Sequence, residues 1–185
     1  FTHFDKVFNE LCGKTWGIAG LGSIGRRVAD VAKAFGCRVV YFSASGHTYD
    51  TEFKRVSFDE LLENSDIISI HAPLNDKTNN LFDDAAFAKM KKNAVLLNLG
   101  RGPIVNNAAL TKALKENIIA GAGLDVIDKE PIAADNPLLE IQDSSKLIIT
   151  PHIAWATYEA RVRLMDEVYE NIKAFEAGES RNVVV

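Results

Sequence analysis

Arg101, Glu130 and His152 stand where residue type and position together could do chemistry. Arg101 follows one apolar run in Leu97-Asn98-Leu99-Gly100-Arg101-Gly102, Asp125 closes another with Glu130 five residues beyond it, and His152 follows a third in Thr150-Pro151-His152. A guanidinium fork matches a carboxylate bidentately and polarises a carbonyl beside it. Histidine exchanges a proton near neutral pH, and a neighbouring carboxylate favours its protonated form and fixes its orientation. The three fit the interconversion of a 2-keto acid and a 2-hydroxy acid, in which a proton reaches the carbonyl oxygen as hydride reaches carbon. Taken singly, each is more often an ion pair, a solvated loop acid or a turn residue; the combination carries the reading.

A hydride needs a carrier, because no side chain supplies one. Gly20-Leu21-Gly22-Ser23-Ile24-Gly25 follows the first apolar run and opens a helical pattern. In that setting Gly20 allows the tight turn, Gly22 the close approach of a pyrophosphate and Gly25 the close packing of helix on strand, with Ser23 and Ile24 in the same turn. The acid that holds an adenosine ribose belongs near the end of the next strand, about 20 residues on. Ser43 occupies that place, followed by Ala44 and Ser45, and His47, Lys54 and Arg55 are the nearest cationic candidates for a 2′-phosphate. The blander reading of Ser43 and Ser45 is a turn and nothing more. NAD and NADP are both left open.

The elements that must position these residues alternate along the chain. Apolar runs at 15–19, 38–42, 66–70, 94–99, 121–125 and 146–149 are separated by segments with helical spacing, the pattern of a parallel sheet whose strands are covered on both faces. Arg101, Asp125 and His152 thus fall at the ends of the fourth, fifth and sixth strands, where ligands of doubly wound sheets sit. Ile24, Val28, Val31 and Phe35 mark a first helix stopped by Gly36; Ser57 with Glu60 reads as a capping box opening 58–64; Asp83 or Asp84 caps a helix through Lys91; Asn106 precedes one over 108–117. A long helix over 157–177 carries Val162, Met165, Val168, Tyr169, Ile172 and Phe175 on one stripe, is ended by Gly178, and is expected to pack outside the sheet. The fold class is α/β, a Rossmann-like doubly wound parallel sheet in three α/β/α layers. The whole of 1–185 reads as one dinucleotide-binding domain.

Composition narrows the partners. Twenty-one Lys and Arg against twenty-five Asp and Glu give a net charge of −4 over 185 residues, with no basic block. Nucleic acid and membrane surfaces are therefore poor partners. Cys12 and Cys37 form neither a CxxC pair nor part of a ligand cluster, so no metal and no disulfide framework is expected. No apolar run approaches the roughly 18 residues that span a bilayer, nor does a signal peptide open the chain, which places it in the cytoplasm. The opening Phe-Thr-His-Phe lacks Met, the mark of a fragment.

The motifs resemble those of the D-isomer-specific 2-hydroxyacid dehydrogenases over nearly the whole chain. They are Gly-Lys-Thr-Trp-Gly-Ile-Ala-Gly-Leu-Gly-Ser-Ile-Gly from Gly13, Ser-Asp-Ile-Ile-Ser-Ile-His-Ala-Pro-Leu from Ser65, Asn-Leu-Gly-Arg-Gly-Pro-Ile-Val-Asn from Asn98, Gly-Leu-Asp-Val from Gly123 with Glu130-Pro131, and Thr-Pro-His-Ile-Ala-Trp-Ala-Thr from Thr150. The resemblance implies that Arg101 binds and polarises the substrate, His152 is the acid/base with Glu130 as partner, and Asp125 meets the nicotinamide carboxamide. His71, Ala72 and Pro73 border the cofactor, His71 as a positioning residue, and Trp155 walls the substrate pocket or packs between domains. The implied substrate is a small 2-keto or 2-hydroxy acid such as glyoxylate, hydroxypyruvate or pyruvate; an amide in place of Glu130 would have pointed to formate dehydrogenases. Members are usually longer, with a substrate domain built mostly from residues ahead of the cofactor domain, toward which the 157–177 helix would return. This chain by itself is therefore expected to bind a dinucleotide and turn over little substrate. The resemblance also implies a homodimer. A dinucleotide-sensing module like the corepressors of similar sequence, or a scaffold with a vestigial site, are the alternative readings.

Overall fold

The computed structural model describes residue 3 and residues 8–184; most of the opening Phe-Thr-His-Phe lies outside them. The chain divides into two compact units, Phe1–Pro151 and His152–Val185. The first holds strands β1 (Thr15–Ala19), β2 (Arg38–Phe42), β3 (Lys54–Arg55), β4 (Ile67–Ile70), β5 (Val95–Asn98), β6 (Gly121–Leu124) and β7 (Leu147–Ile149). Among them run helices α1 (Ser23–Ala34), α2 (Phe58–Asn64), α3 (Asp84–Lys89) and α4 (Asn107–Lys115). All seven strands are parallel, in the order β3-β2-β1-β4-β5-β6-β7. Chain order reverses between β1 and β4, which opens a crevice there beyond the carboxyl edge of the sheet.

Local chemistry explains most of the element boundaries. Ser57 accepts from the Glu60 amide at 3.1 Å while Glu60 reaches back to the Ser57 amide at 2.8 Å, the reciprocal cap expected before α2. Asp83, not Asp84, caps α3 through the Ala86 amide, and the helix ends at Lys89 rather than Lys91 because the 91–94 turn is already closing ahead of β5. Asn106 caps α4 through the Ala109 amide, so the helix begins at Asn107, one residue ahead of the expected start. The strand β3 had no apolar signal to announce it. Its two residues, both charged and exposed, pair with Val40 and Tyr41 at the sheet edge, so Arg101, Asp125 and His152 follow the fifth, sixth and seventh strands instead of the fourth, fifth and sixth.

The core lies mainly on one face. Leu61, Leu62, Phe82, Phe87, Leu110 and Leu114 from α2, α3, α4 and their flanks pack on Ile68, Ile70 and Leu96. On the other face Ile18, Leu21, Ala29 and Tyr41 form a smaller cluster under α1. Here the apolar stripe of α1 departs from its expected inward orientation. Gly25, Ala29 and Ala32 are buried, whereas Ile24, Val31 and Phe35 are exposed. Contact distance decides this: a Cβ on Gly25 would sit 2.2 Å from the Gly20 carbonyl oxygen and 3.2 Å from Ile18 Cγ2, so only small residues can face the sheet. Burial on both faces holds for β1 and β4 but not for β7, where Ile148 is 61% exposed.

The second unit contains α5 (Tyr158–Glu176), capped by Thr157 through the Ala160 amide and closed at Gly178, whose φ is +71°. Its expected apolar stripe forms, yet Val162, Met165, Val168, Tyr169, Ile172 and Phe175 are all exposed. Among the described residues no helix is long and apolar enough to cross a membrane.

Two loops of the first unit touch without room between them. A Cβ on Gly102, just past β5, would lie 1.8 Å from the carbonyl oxygen of Ile127, just past β6. Gly102→Ala is expected to destabilise the fold by about 1–3 kcal/mol through overpacking, a fall in melting midpoint of several degrees. Scanning calorimetry of that variant beside Gly22→Ala, whose added methyl meets nothing within 4 Å, provides the check; equal midpoints would refute the close contact.

Candidate functional site

The glycine turn is shaped as a cradle. Gly20 has φ +100°, and a Cβ there would lie 2.7 Å from the Ala72 amide nitrogen at the end of β4. Its own amide donates to Phe42 at 3.0 Å, so the turn is tied to β1, β2 and β4 at once. Gly22 sits at the N-cap of α1 with no side chain to cap it, no acid in the first turn, and open space where a Cβ would project. The amides of the first helical turn, Ser23, Ile24 and Gly25 among them, have no intrahelical acceptors by geometry. An uncapped, acid-free helix start with room above its only side-chain-free entry residue fits a diphosphate.

Beside it a cleft of about 440 Å³ is lined by Ile24, His71, Ala72, Pro73, Leu74, Leu99, Gly100 and Arg101. Of the residues singled out at strand ends, Arg101 lines this cleft together with His71, Ala72 and Pro73. Arg101 Nη1 donates to the Gly100 carbonyl at 2.8 Å. Its loop is held by Asn98, which is fully buried at the end of β5. The Asn98 Nδ2 donates to the Arg101 carbonyl at 3.0 Å, and its Oδ1 accepts from the Gly100 amide at 3.1 Å. Asn98 stood in a quoted motif without a role. An amide closing an apolar strand was the signal that could have assigned it one.

On the far side of the sheet edge, Asp125 is buried and its Oδ1 accepts from the Thr150 hydroxyl at 2.6 Å, while its amide donates to the Asn98 carbonyl at 3.0 Å. Thr150, also unassigned from sequence, therefore orients the Asp125 carboxylate. Glu130 Oε1 accepts from the Ile127 amide at 3.2 Å. Ser43 and Ser45 do form a turn, closed by the Gly46 amide on the Ser43 carbonyl at 3.0 Å, with their hydroxyls 3.1 Å apart. His152 opens the second unit. Its φ is +54°, an uncommon backbone for a residue with a side chain, and its carbonyl accepts from Trp155 Nε1 at 2.9 Å. The Trp155 ring itself is exposed.

His71 is a different kind of histidine. Trp16 Nε1 donates to Ser69 Oγ at 2.9 Å, and that hydroxyl lies 3.1 Å from His71 Nε2, while Nδ1 is buried with no hydrogen-bond partner. Burial pushes its pKa down to about 4, so the ring is neutral at pH 7. The unfolded chain, with a pKa of 6.5, binds a proton that the folded chain refuses down to about 4. Stability therefore falls as pH drops through that window, by about 1–3 kcal/mol. Denaturant titrations at pH 7 and 4.5 are expected to show that loss diminished in His71→Gln; an unchanged loss would remove His71 as its source.

Comparisons with known proteins bear on the family and the fold. Residues 2–154 match the family model described as D-isomer specific 2-hydroxyacid dehydrogenase, NAD binding domain. A glyoxylate reductase of Korarchaeum cryptofilum is 42% identical over 173 residues, which are 92% of this chain and 51% of that protein. Among solved structures, an acyclic imino acid reductase in complex with NADPH and D-Arg is 35% identical with a TM-score of 0.89, covering 100% of this chain and 59% of that one. A D-lactate dehydrogenase with NAD+ from Lactobacillus jensenii is 32% identical with a TM-score of 0.88, again covering 100% and 59%. The chain spans little more than half the length of the relatives it matches. From the family match and the cradle together, the chain belongs to the D-isomer specific 2-hydroxyacid dehydrogenases, as an NAD-binding domain of that family.

Proposed function

We propose that this chain binds NAD(H) or NADP(H) over the β1–α1 turn and provides the cofactor side of a site that interconverts a small 2-keto acid and a D-2-hydroxy acid. The observation that carries the reading is the cleft lined by Ile24, Ala72 and Arg101 beside the glycine turn, whose Gly20 packs directly on Ala72. Gly20, Gly22, Ser23, Ile24 and Gly25 hold the diphosphate, Ser43 and Ser45 the adenosine ribose, and His71, Ala72 and Pro73 border the nicotinamide, whose carboxamide Asp125 meets. When bound, the nicotinamide gives or takes the hydride. Arg101 binds the substrate carboxylate and polarises its carbonyl. His152 passes a proton to or from the carbonyl oxygen, with Glu130 as its carboxylate partner in the family's pattern. A corepressor-like module without turnover is not favoured, since the similar proteins are enzymes such as glyoxylate reductase and D-lactate dehydrogenase.

In this reading all of 1–185 serves the dinucleotide, and the exposed stripe of α5 turns toward the substrate-binding part that the longer relatives carry. The exposed apolar face of α1 supports a homodimer in solution. Unbridged Cys12 and Cys37 fit the reducing cytoplasm.

Calorimetric titration of this chain with NADH and with NADPH is expected to show binding of at least one; binding of neither would overturn the reading. Gly22→Val is expected to weaken that binding at least tenfold while leaving the melting midpoint unchanged, because its side chain projects into open space over the helix start. In a polypeptide of the relatives' length, Arg101→Ala is expected to lower kcat/KM for glyoxylate or hydroxypyruvate by about 10²–10⁴, the scale of losing a charged contact to the developing oxyanion. A loss below tenfold would remove Arg101 from the reacting centre. Light scattering is expected to give a dimer mass, and a monomer at high concentration would refute the dimer.

A further inference from the structure

Glu130 rides on the long connection between β6 and β7, and its place depends on what holds that connection. Residues 128–131 are exposed, as are Ala134 and Asp135. The start of the excursion is pinned. A Cβ on Gly102 would meet the Ile127 carbonyl oxygen at 1.8 Å, and the Ile127 amide donates to Glu130 Oε1 at 3.2 Å. Since Gly102 follows Arg101 directly, the backbone that carries the guanidinium abuts the residue that holds the Glu130 carboxylate.

The far end is held by one side chain. Asn136 is 7% exposed and precedes the short 3₁₀ turn Pro137–Glu140. Its Oδ1 accepts from the Leu138 amide at 3.0 Å, and Leu138 is buried in the core. Its Nδ2 donates to Asp128 Oδ1 at 3.1 Å, an oxygen that also accepts from the Lys129 amide at 2.8 Å. The Asn136 backbone amide closes a turn on the Ala133 carbonyl at 3.0 Å. One buried carboxamide therefore ties the core-anchored end of the loop to the residue two places ahead of Glu130. Capping the 3₁₀ turn needs only the acceptor half of that carboxamide. The donor half reaches an exposed carboxylate instead, and fixes which way the 128–131 backbone runs.

We propose that Asn136 and Asp128 are positioning residues for Glu130: their hydrogen bond closes the 128–136 loop, so that the Glu130 carboxylate keeps a single place at the carboxyl edge of the sheet. The inference rests on the reading of Glu130 as the carboxylate partner of the acid/base and adds what holds it there. A group that orients a histidine must keep its place to within about 0.5 Å, and a misplacement of about 1 Å costs up to about 10²-fold in rate. A loop open to solvent over most of its length does not hold such a tolerance without a clasp.

The test uses a polypeptide of the relatives' length, with glyoxylate as substrate, NADH and NADPH as reductants, and a melting midpoint for every variant. Asp128→Ala is expected to lower kcat about tenfold, with KM for glyoxylate within about twofold and, because Asp128 is exposed, a midpoint within about 2 °C of the parent. Asp128→Asn keeps the accepting oxygen and is expected to retain kcat. Asn136→Asp keeps the cap on Leu138 but sets a second carboxylate against Asp128, and is expected to lose at least as much kcat as Asp128→Ala. In a Glu130→Gln background, Asp128→Ala is expected to lower kcat no further, because the group being positioned is already disabled. If Asp128→Ala leaves kcat unchanged, if Asp128→Asn loses as much as Asp128→Ala, or if the losses of Asp128→Ala and Glu130→Gln add in full, the positioning role is refuted while the dehydrogenase reading stands. If Glu130→Gln itself leaves kcat unchanged, the assignment of Glu130 fails and its positioning with it.

Discussion

The site depends on one close approach, that of the β1–α1 turn to the end of β4. With 2.7 Å between a would-be Gly20 Cβ and the Ala72 amide, and 2.2 Å between a would-be Gly25 Cβ and the Gly20 carbonyl, strand, turn, helix and neighbouring strand share one contact. No side chain fits in it, so the backbone alone forms the floor of the crevice. That makes the geometry independent of rotamers, and it turns an acid-free helix start toward whatever lies above the sheet edge. The cost is borne by α1, which can present only Gly25, Ala29 and Ala32 to the sheet and must leave its larger apolar residues outside.

The far half of the sheet edge is organised by amides and hydroxyls instead. Asn98 holds the Arg101 loop by both ends of its side chain, its carbonyl takes the Asp125 amide, and Asp125 takes the Thr150 hydroxyl. Three strand ends are thereby tied in sequence from β5 to β7. Because Asn98 is fully buried, loosening its side-chain bonds would leave a desolvated amide unpaired, which is what keeps such loops in one conformation.

Much of this was legible in the sequence where a local signal matched a local cause. The capping box at Ser57 and Glu60, the alternation of apolar runs with helical spacing, and the glycine turn all read correctly because their residues act on their immediate neighbours. The outward stripe of α1 was not legible: Ile24, Val31 and Phe35 have the spacing of a buried face, and only the distance to the Gly20 carbonyl forbids it. Nor was β3, whose two charged residues are made a strand by Val40 and Tyr41 rather than by their own propensity. Asn98 and Thr150 were visible as polar residues at strand ends, but their bonds run to residues 27 and 25 positions away, separations that no spacing rule encodes.

The left-handed backbone at His152, φ +54°, lets two properties of that position vary separately. Asn and Asp visit this region at little steric cost, whereas β-branched residues do so only under strain. An Asn there would hold the chain's exit from Pro151 on the same course without the imidazole; a Val would bend that course as well. The peptide path through position 152 therefore tolerates loss of the ring better than it tolerates a branched side chain.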